Sequence, residues 1–383
     1  MAEHLPPFRF GQIVTDEYFV GRQTELAAMV TDLRAGVSVV LLAARRTGKS
    51  SLVLRALDQL HDHHVLTAYA DLQRTPSKVR FAGHLAHAIH DGLLGPGEQA
   101  LQRATEWFGQ LRVRPRITFN DSGKPVFEFI GSAPQVDMDA TIERLLEVPE
   151  EIAARHNARS VVVFDEFQEV LDLDPTLPAL MRSVFQRQTH VAYVFLGSRQ
   201  RLLRDVFVDR RQPLYRLARP MSLGPIAPDV FAPFLRSRFA AGTSQITAAG
   251  VSALLEATGG HPNDTQELAH FAWARAVAEK RPAKPATVQG ALSDVITAET
   301  ARFVLIWEAL SPAQRRVLSA LAVTSGNHGV YEQELRDDFQ LGDTQTVQKA
   351  LRRLVQLELV EAAGRGRYRV PDVFFRSWLS QSD

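Results

Sequence analysis

One short stretch limits what this chain can fold into more than any other. Residues 37–44 (Val-Ser-Val-Val-Leu-Leu-Ala-Ala) form a continuous apolar run, and Arg45-Arg46-Thr47-Gly48-Lys49-Ser50-Ser51 follow it directly. A run without period-2 alternation suits a strand buried on both faces of a parallel sheet. Gly-Lys-Ser entering a helix is the strict part of a phosphate-binding loop. Gly48 lets the backbone approach an oxyanion, and the free N–H groups at the helix start hold it with the positive dipole end. Lys49 can reach the outer phosphates, the Ser50 hydroxyl can ligate Mg²⁺, and Arg46, Thr47 and Ser51 line the same loop. The looser part of the pattern, a first glycine five residues before Gly48, is Ala43 here. If the loop needs a positive φ at that point, alanine costs about 1–2 kcal/mol.

Similar apolar runs recur at 65–70, 160–164 and 191–196, separated by stretches with helical spacing at 51–61, 81–94, 142–155 and 177–188. Strand alternating with helix is the pattern of a doubly wound α/β domain. One segment departs from it. Ile117-Thr118-Phe119 and Val126-Phe127-Glu128-Phe129 flank Asn120-Asp121-Ser122-Gly123-Lys124-Pro125, which predicts a β-hairpin inserted before the third core strand. After Pro225 the strand signal disappears; residues 228–278 read as helical, broken at Thr258-Gly259-Gly260-His261-Pro262.

The run 160–164 ends in Asp165-Glu166. In open α/β sheets, ligand chemistry sits at the carboxyl ends of strands. Asp165 is the candidate to stand near Mg²⁺ and Glu166 the candidate general base for an attacking water. Asp71 closes the second strand at the same sheet edge, with a helix cap or turn as the plain alternative. The four residues His61-Asp62-His63-His64 read as a solvated loop. No Asn-Lys-x-Asp guanine reader occurs, which leans the nucleotide towards ATP. The chain has no cysteine, which excludes thiol catalysis, iron–sulfur clusters and thiolate zinc sites. Its 44 basic and 43 acidic side chains leave no bulk field to drive it onto nucleic acid. Without a long apolar run, a soluble, cytoplasmic, non-membrane protein is expected.

The loop Arg45-Arg46-Thr47-Gly48-Lys49-Ser50 resembles that of the archaeal-type ATPases, a branch of the STAND class within the AAA+ ATPases. Asp165-Glu166-Phe167-Gln168 is similar to their acidic strand end, and Phe19-Val20-Gly21-Arg22-Gln23-Thr24-Glu25-Leu26 to their entry segment. The resemblance implies that Val20 and Gly21 lie beside the adenine. It makes Ser198, in Gly197-Ser198, a sensor-like group near the γ-phosphate. It makes Gly260, His261 and Pro262 candidates on the lid side, with ATP bound between core and lid. An arginine for the transition-state charge is sought among Arg204, Arg210, Arg211 and Arg216, with Arg211 as the catalytic candidate, reaching a neighbouring subunit of a homo-oligomer.

From Ser311 a last unit begins. Ser311-Pro312 opens a helix, Tyr331–Phe339 a second and Thr344–Glu358 a third, with Val347, Ala350, Leu351 and Leu354 on one face. Leu359–Ala362 and Arg367–Val370 flank Gly364-Arg365-Gly366 as a wing. Gln345, Gln348, Lys349, Arg352 and Arg353 on the third helix, with Arg365, Arg367 and Arg369 on the wing, suit a duplex-reading module, although the unit's net charge is close to zero. The expected fold is α/β: a P-loop NTPase core with a parallel sheet over 1–226 (hairpin at about 115–130), a helical lid over 227–297 and a winged helix-turn-helix over 298–383. The expected function is an Mg²⁺-dependent ATP-hydrolysing switch coupled to a module that contacts DNA or a partner protein. The alternative is a STAND-type signalling or defence scaffold that assembles with a protein and does not bind DNA.

Overall fold

The computed structural model describes residues 6–95, 97–129, 135–324, 331–364 and 366–381. It forms two compact units: Ile13–Gly224, and Met1–Gln12 together with Pro225–Asp383.

The first unit is built on seven strands: β1 (Val39–Leu42), β2 (Leu66–Asp71), β3 (Arg116–Phe119), β4 (Pro125–Glu128), β5 (Ser160–Asp165), β6 (Val191–Leu196) and β7 (Arg219–Ser222). Five of them make one sheet in the order β2-β5-β6-β1-β7, and every neighbouring pair is parallel. The strands are apolar on both sides because both faces are covered. Val40, Leu42, Val162, Phe164, Tyr193 and Phe195 face one core cluster with Phe81, Leu85 and Ile142. Val39, Leu41, Val161, Val163, Val194 and Leu196 face the other with Met29, Leu33, Leu52 and Val53. Period 2 is present in where the side chains point although it is absent from their polarity.

The expected strands and hairpin are all found. β3 and β4 pair antiparallel, and the Asn120 side chain accepts from the N–H groups of Ser122 (3.0 Å) and Lys124 (2.9 Å) to shape the turn. β7 has no apolar signature. It pairs only with β1 and carries Pro220, which an edge strand tolerates because it can spare a donor. Residues 81–94 divide into a helix, Lys78–Ile89, and one π-helical turn, His90–Leu94. Within that turn Gly92 lies so close to β2 that a Cβ there would stand 2.2 Å from the Thr67 carbonyl oxygen. The helices Glu98–Phe108, Gln168–Leu173, Gln200–Val208 and Val373–Gln381 are further elements that the spacing did not mark.

In the second unit the helices Pro228–Ala241, Ala248–Thr258 and Pro262–Glu279 stand where the periodicity put them. The segment before Ile13, expected with the core, packs here instead: Phe8 meets Phe239 edge-on at 5.3 Å, and Arg238 Nε donates to the Pro7 carbonyl at 2.7 Å. Phe8, buried, and Phe10, half-buried, need apolar partners, and these helices supply them through Phe239 and His270. The helix Pro285–Glu308 runs unbroken across residues 297 and 298, so the lid and winged-helix segments share it. Its Phe303 ring meets that of Phe375 at a tilt, with centroids 5.2 Å apart. The winged helix has its three helices, Pro312–Thr324, Gln333–Asp338 and Thr344–Gln356, and a two-stranded wing, β8 (Glu361–Gly364) and β9 (Arg367–Arg369). Val347, Ala350, Leu351 and Leu354 are buried as the spacing predicts, and Asp343 caps the third helix through the Thr346 N–H at 2.7 Å.

Lys78, at the start of its helix, is otherwise badly placed against the helix dipole. It is held by Asp139 at 2.5 Å and Asp174 at 2.6 Å, joining three segments on one face of the sheet. The hydrogen bond from Lys78 holds the Asp174 carboxyl down to about 2. A depressed carboxyl stabilises the fold above its unfolded value of about 3.9, and this contribution is lost as pH falls towards about 2. Lys78→Met is expected to lower stability by about 1–2 kcal/mol at pH 7, read as the urea midpoint, with the gap from wild type closing as pH falls through that window.

Candidate active site

The loop after β1 is shaped by Ala43, Arg46, Thr47 and Gly48. Ala43 is fully buried and is not among the positive-φ residues, so alanine carries no conformational penalty there. The left-handed turn falls instead on Arg46, at φ 58°, and on Gly48, at φ 85°. Gly48 precedes the helix Lys49–His61 without a side-chain cap, so the first N–H groups of that helix are left for a ligand. The Thr47 hydroxyl donates to the Ala44 carbonyl at 2.8 Å and closes the loop. Lys49, 8% exposed, folds back along it, with Nζ 2.7 Å from the Ala44 carbonyl oxygen and 3.3 Å from that of Ala43. Arg45 and Arg46 are exposed. The Ser51 side chain is buried and accepts from the Val14 N–H at 3.0 Å, which ties the entry segment to the loop helix.

β5 brings the acids to the same edge. The Ser50 hydroxyl donates to Asp165 Oδ2 at 3.0 Å across the sheet. The Tyr69 hydroxyl, from β2, donates to the same oxygen, and the Glu166 N–H donates to Oδ1 at 2.8 Å. Burial pushes the Asp165 carboxyl above its ordinary value, against the pull of these three donors. Burial, reinforced by the neighbouring acid, also raises the Tyr69 phenol. Tyr69 went unmarked in the sequence because it reads as one more residue of a strand; its signal is a phenol on a strand that ends beside Asp165.

Glu166 has a left-handed backbone, φ 53°. Its Oε2 accepts from the Ser198 N–H (3.2 Å), from the Ser198 hydroxyl (3.1 Å) and from the Gln168 amide. Ser198 follows β6, the strand between β5 and β1. Lys49, Ser50, Asp165, Glu166 and Ser198 therefore come from three adjacent strand tips. Gly21 (φ 65°) and Arg22 (φ 69°) make a left-handed pair in the entry segment, and Val20 beside them is half-buried. Arg22 is buried and donates to Glu25 at 3.0 Å and to the Gly224 carbonyl at 2.5 Å, which ties that segment to the end of β7.

Arg211 is 88% exposed and ion-paired with Asp209 at 2.8 Å. Arg204, Arg210 and Arg216 are exposed, and Arg216 lies 5.4 Å from the Tyr215 ring. His261 and Pro262 belong to the second unit, where His261 precedes the helix Pro262–Glu279 and faces Asp264 at 3.1 Å. Gly260 (φ 72°) has no room for a side chain, since a Cβ would meet the Ile226 carbonyl oxygen at 2.4 Å. Asp71 serves a turn, accepting from the Gln73 N–H at 2.9 Å. His61, His63 and His64 lie at or beyond a helix end, and no group of three metal-ligating side chains occurs among the described residues. On the winged helix, Gln345, Gln348, Lys349, Arg352, Arg353 and Arg367 are exposed. Arg369 pairs with Glu361 at 2.5 Å, and Arg365 lies outside the described residues.

Residues 18–196 match the AAA ATPase domain, and residues 301–381 match a probable winged helix domain. The Walker-type ATPase of Pyrococcus abyssi is similar in fold, with a TM-score of 0.65 at 16% identity over 97% of this chain and 99% of that one. The ORC2 protein of Aeropyrum pernix, solved in ADPNP–ADP complexes, has a TM-score of 0.56 at 14% identity over 99% of this chain and 98% of that one. Comparison with curated proteins finds no match.

Tyr69→Phe removes one donor from a buried carboxylate and leaves the ring. Stability without nucleotide is expected to fall by about 1.5–3 kcal/mol, measured by urea unfolding; an unchanged midpoint would show that the Asp165 hydrogen bond contributes nothing net.

Proposed function

We propose that this AAA-type ATPase, which carries a C-terminal winged helix, is an Mg²⁺-dependent molecular switch whose nucleotide state controls contact between the winged helix and duplex DNA. The observation that carries the reading is the 3.0 Å bond between Ser50 and Asp165, because it joins the phosphate loop to the acidic strand end. A hydroxyl and a carboxylate are hard oxygen donors of the kind Mg²⁺ takes, so the pair fits that ion. Bound there, Mg²⁺ would neutralise charge on the phosphates.

Lys49 would leave its loop carbonyls for the β- and γ-phosphates, and the N–H groups following Gly48 would cradle them, with Arg46, Thr47 and Ser51 on the same turn. Val20 and Gly21 are assigned to the base. Glu166 accepts the proton of the attacking water. The water oxygen bonds to the γ-phosphorus, the bond to the β–γ bridging oxygen breaks, and its electron pair leaves with ADP. Ser198, bonded to Glu166, would report the γ-phosphate to the base. Arg211 is assigned to a neighbouring copy's site, and its exposed guanidinium suits that role.

The DNA reading rests on the exposed cations Lys349, Arg352 and Arg353 of the third helix and Arg367 of the wing. One observation favours the scaffold alternative: Arg369 is neutralised by Glu361 on the facing strand, which weakens the wing as a phosphate contact. Among the described residues no helix is long and apolar enough to cross a membrane.

Lys49→Ala is expected to lose ATP binding. Glu166→Gln is expected to bind ATP but turn over about 10²–10⁴-fold more slowly, measured as phosphate release. Turnover at the wild-type rate in Glu166→Gln would remove the general base. For the partner, duplex binding titrated against salt with and without ATP is expected to be salt-dependent and uniformly weakened by Arg352→Glu. ATP-dependent oligomers indifferent to DNA would instead establish the scaffold.

A further inference from the structure

Glu166 is held by the amide that ends the acidic strand tip Asp165-Glu166-Phe167-Gln168. Gln168, two residues on, is 3% exposed. Its Nε2 donates to Glu166 Oε2 and lies 3.4 Å from Ser198 Oγ. Its Oε1 is buried and makes no hydrogen bond. Charge fixes which end of the amide faces the acid: with the two exchanged, an amide oxygen would press on a carboxylate oxygen.

What keeps the amide in place is the residue at position 197. A Cβ built on Gly197 would lie 2.0 Å from Gln168 Oε1 and 3.2 Å from its carboxamide carbon. Gly197 is not among the positive-φ glycines, so its backbone does not call for glycine. The packing of Gln168 does. The strand end Gly197-Ser198 thus does two things to one carboxylate: Ser198 donates to it twice, and Gly197 leaves the space through which a third donor reaches it.

We propose that Gln168 is the positioning residue for Glu166, and that position 197 is glycine in order to admit its carboxamide. This rests on the reading of Glu166 as the general base. Three donors on Oε2 stop the carboxylate from turning and leave Oε1 as the oxygen that takes the proton from water. The expected signature is a loss in kcat without a loss in ATP affinity, because Gln168 touches the base and not the phosphate loop.

The experiment measures kcat, KM and equilibrium ATP binding for wild type, Glu166→Gln, Gln168→Ala, Gly197→Ala and the double variant, with thermal melts to confirm folding. Gln168→Ala and Gly197→Ala are each expected to lower kcat about tenfold or more, with ATP affinity within about twofold of wild type. In the double variant, Gly197→Ala is expected to add little to Gln168→Ala, because the carboxamide has gone and only Leu203 Cδ1, 3.2 Å from the added Cβ, has to give. Wild-type kcat in Gln168→Ala beside an inactive Glu166→Gln would overturn the positioning role and leave the base intact. Wild-type kcat in Glu166→Gln would overturn the base, and the positioning role with it. Fully additive losses in the double variant would break the link between Gly197 and Gln168. If Gly197→Ala alone does not fold, the comparison of Gln168→Ala with the double variant still decides that link.

Discussion

The buried carboxylate of Asp165 is the constraint around which the first unit is arranged. A carboxylate taken out of water must be given donors. Here they come from three directions: the Ser50 hydroxyl from the loop after β1, the Tyr69 phenol from β2, and the Glu166 N–H from its own chain. Each donor can arrive only if its strand ends level with β5. That levelling is set by the parallel register, in which Asp71 lies opposite Asp165 and Phe164 opposite Phe195. The apolar layers on both sides of the sheet hold the register, since a slip by one residue would turn every buried side chain to the wrong face.

Two of the non-glycine residues with a left-handed backbone lie at the same edge. Arg46 and Glu166 are non-glycine residues in the left-handed region, on either side of the Ser50–Asp165 bond, and each costs about 1–2 kcal/mol. Such conformations persist where the surroundings over-determine them, and they mark sites where geometry matters more than stability. At Glu166 the surroundings are identifiable. The next residue donates its N–H to the Leu196 carbonyl at 2.9 Å, and Ser198 and Gln168 hold the side chain. The chain thus spends conformational freedom on the direction of one carboxylate.

The second unit follows a different logic. Its helices are joined by tight turns in which backbone meets backbone, as at Gly260 against Ile226. A single helix, Pro285–Glu308, serves both the helical segment before residue 298 and the winged helix. A movement of that helix would be felt by both, which gives the proposed switch a mechanical part within one unit.

Much of this was legible in the sequence. The four apolar runs are strands because a strand covered on both faces can hold little else, and the Asn-Asp-Ser-Gly turn is a hairpin because its side chains close the turn locally. Gly48-Lys49-Ser50 and Asp165-Glu166 could be assigned to one edge because parallel strands separated by helices present the same end. Other features depended on neighbours distant in the chain. β7 has no signature of its own and becomes a strand only because β1 offers it an edge. Phe8 and Phe10 pack on helices more than 200 residues away in the chain. Ala43 in place of a glycine could not be judged until the positive φ was seen to fall on Arg46. The roles of Tyr69 and Gln168 were also hidden, since a phenol in a strand and an amide after an acid carry no periodic signal. Local sequence determines the hydrogen-bonding and burial needs of each segment, whereas which distant group meets each need depends on the register of the sheet, and that exists only once the chain has folded.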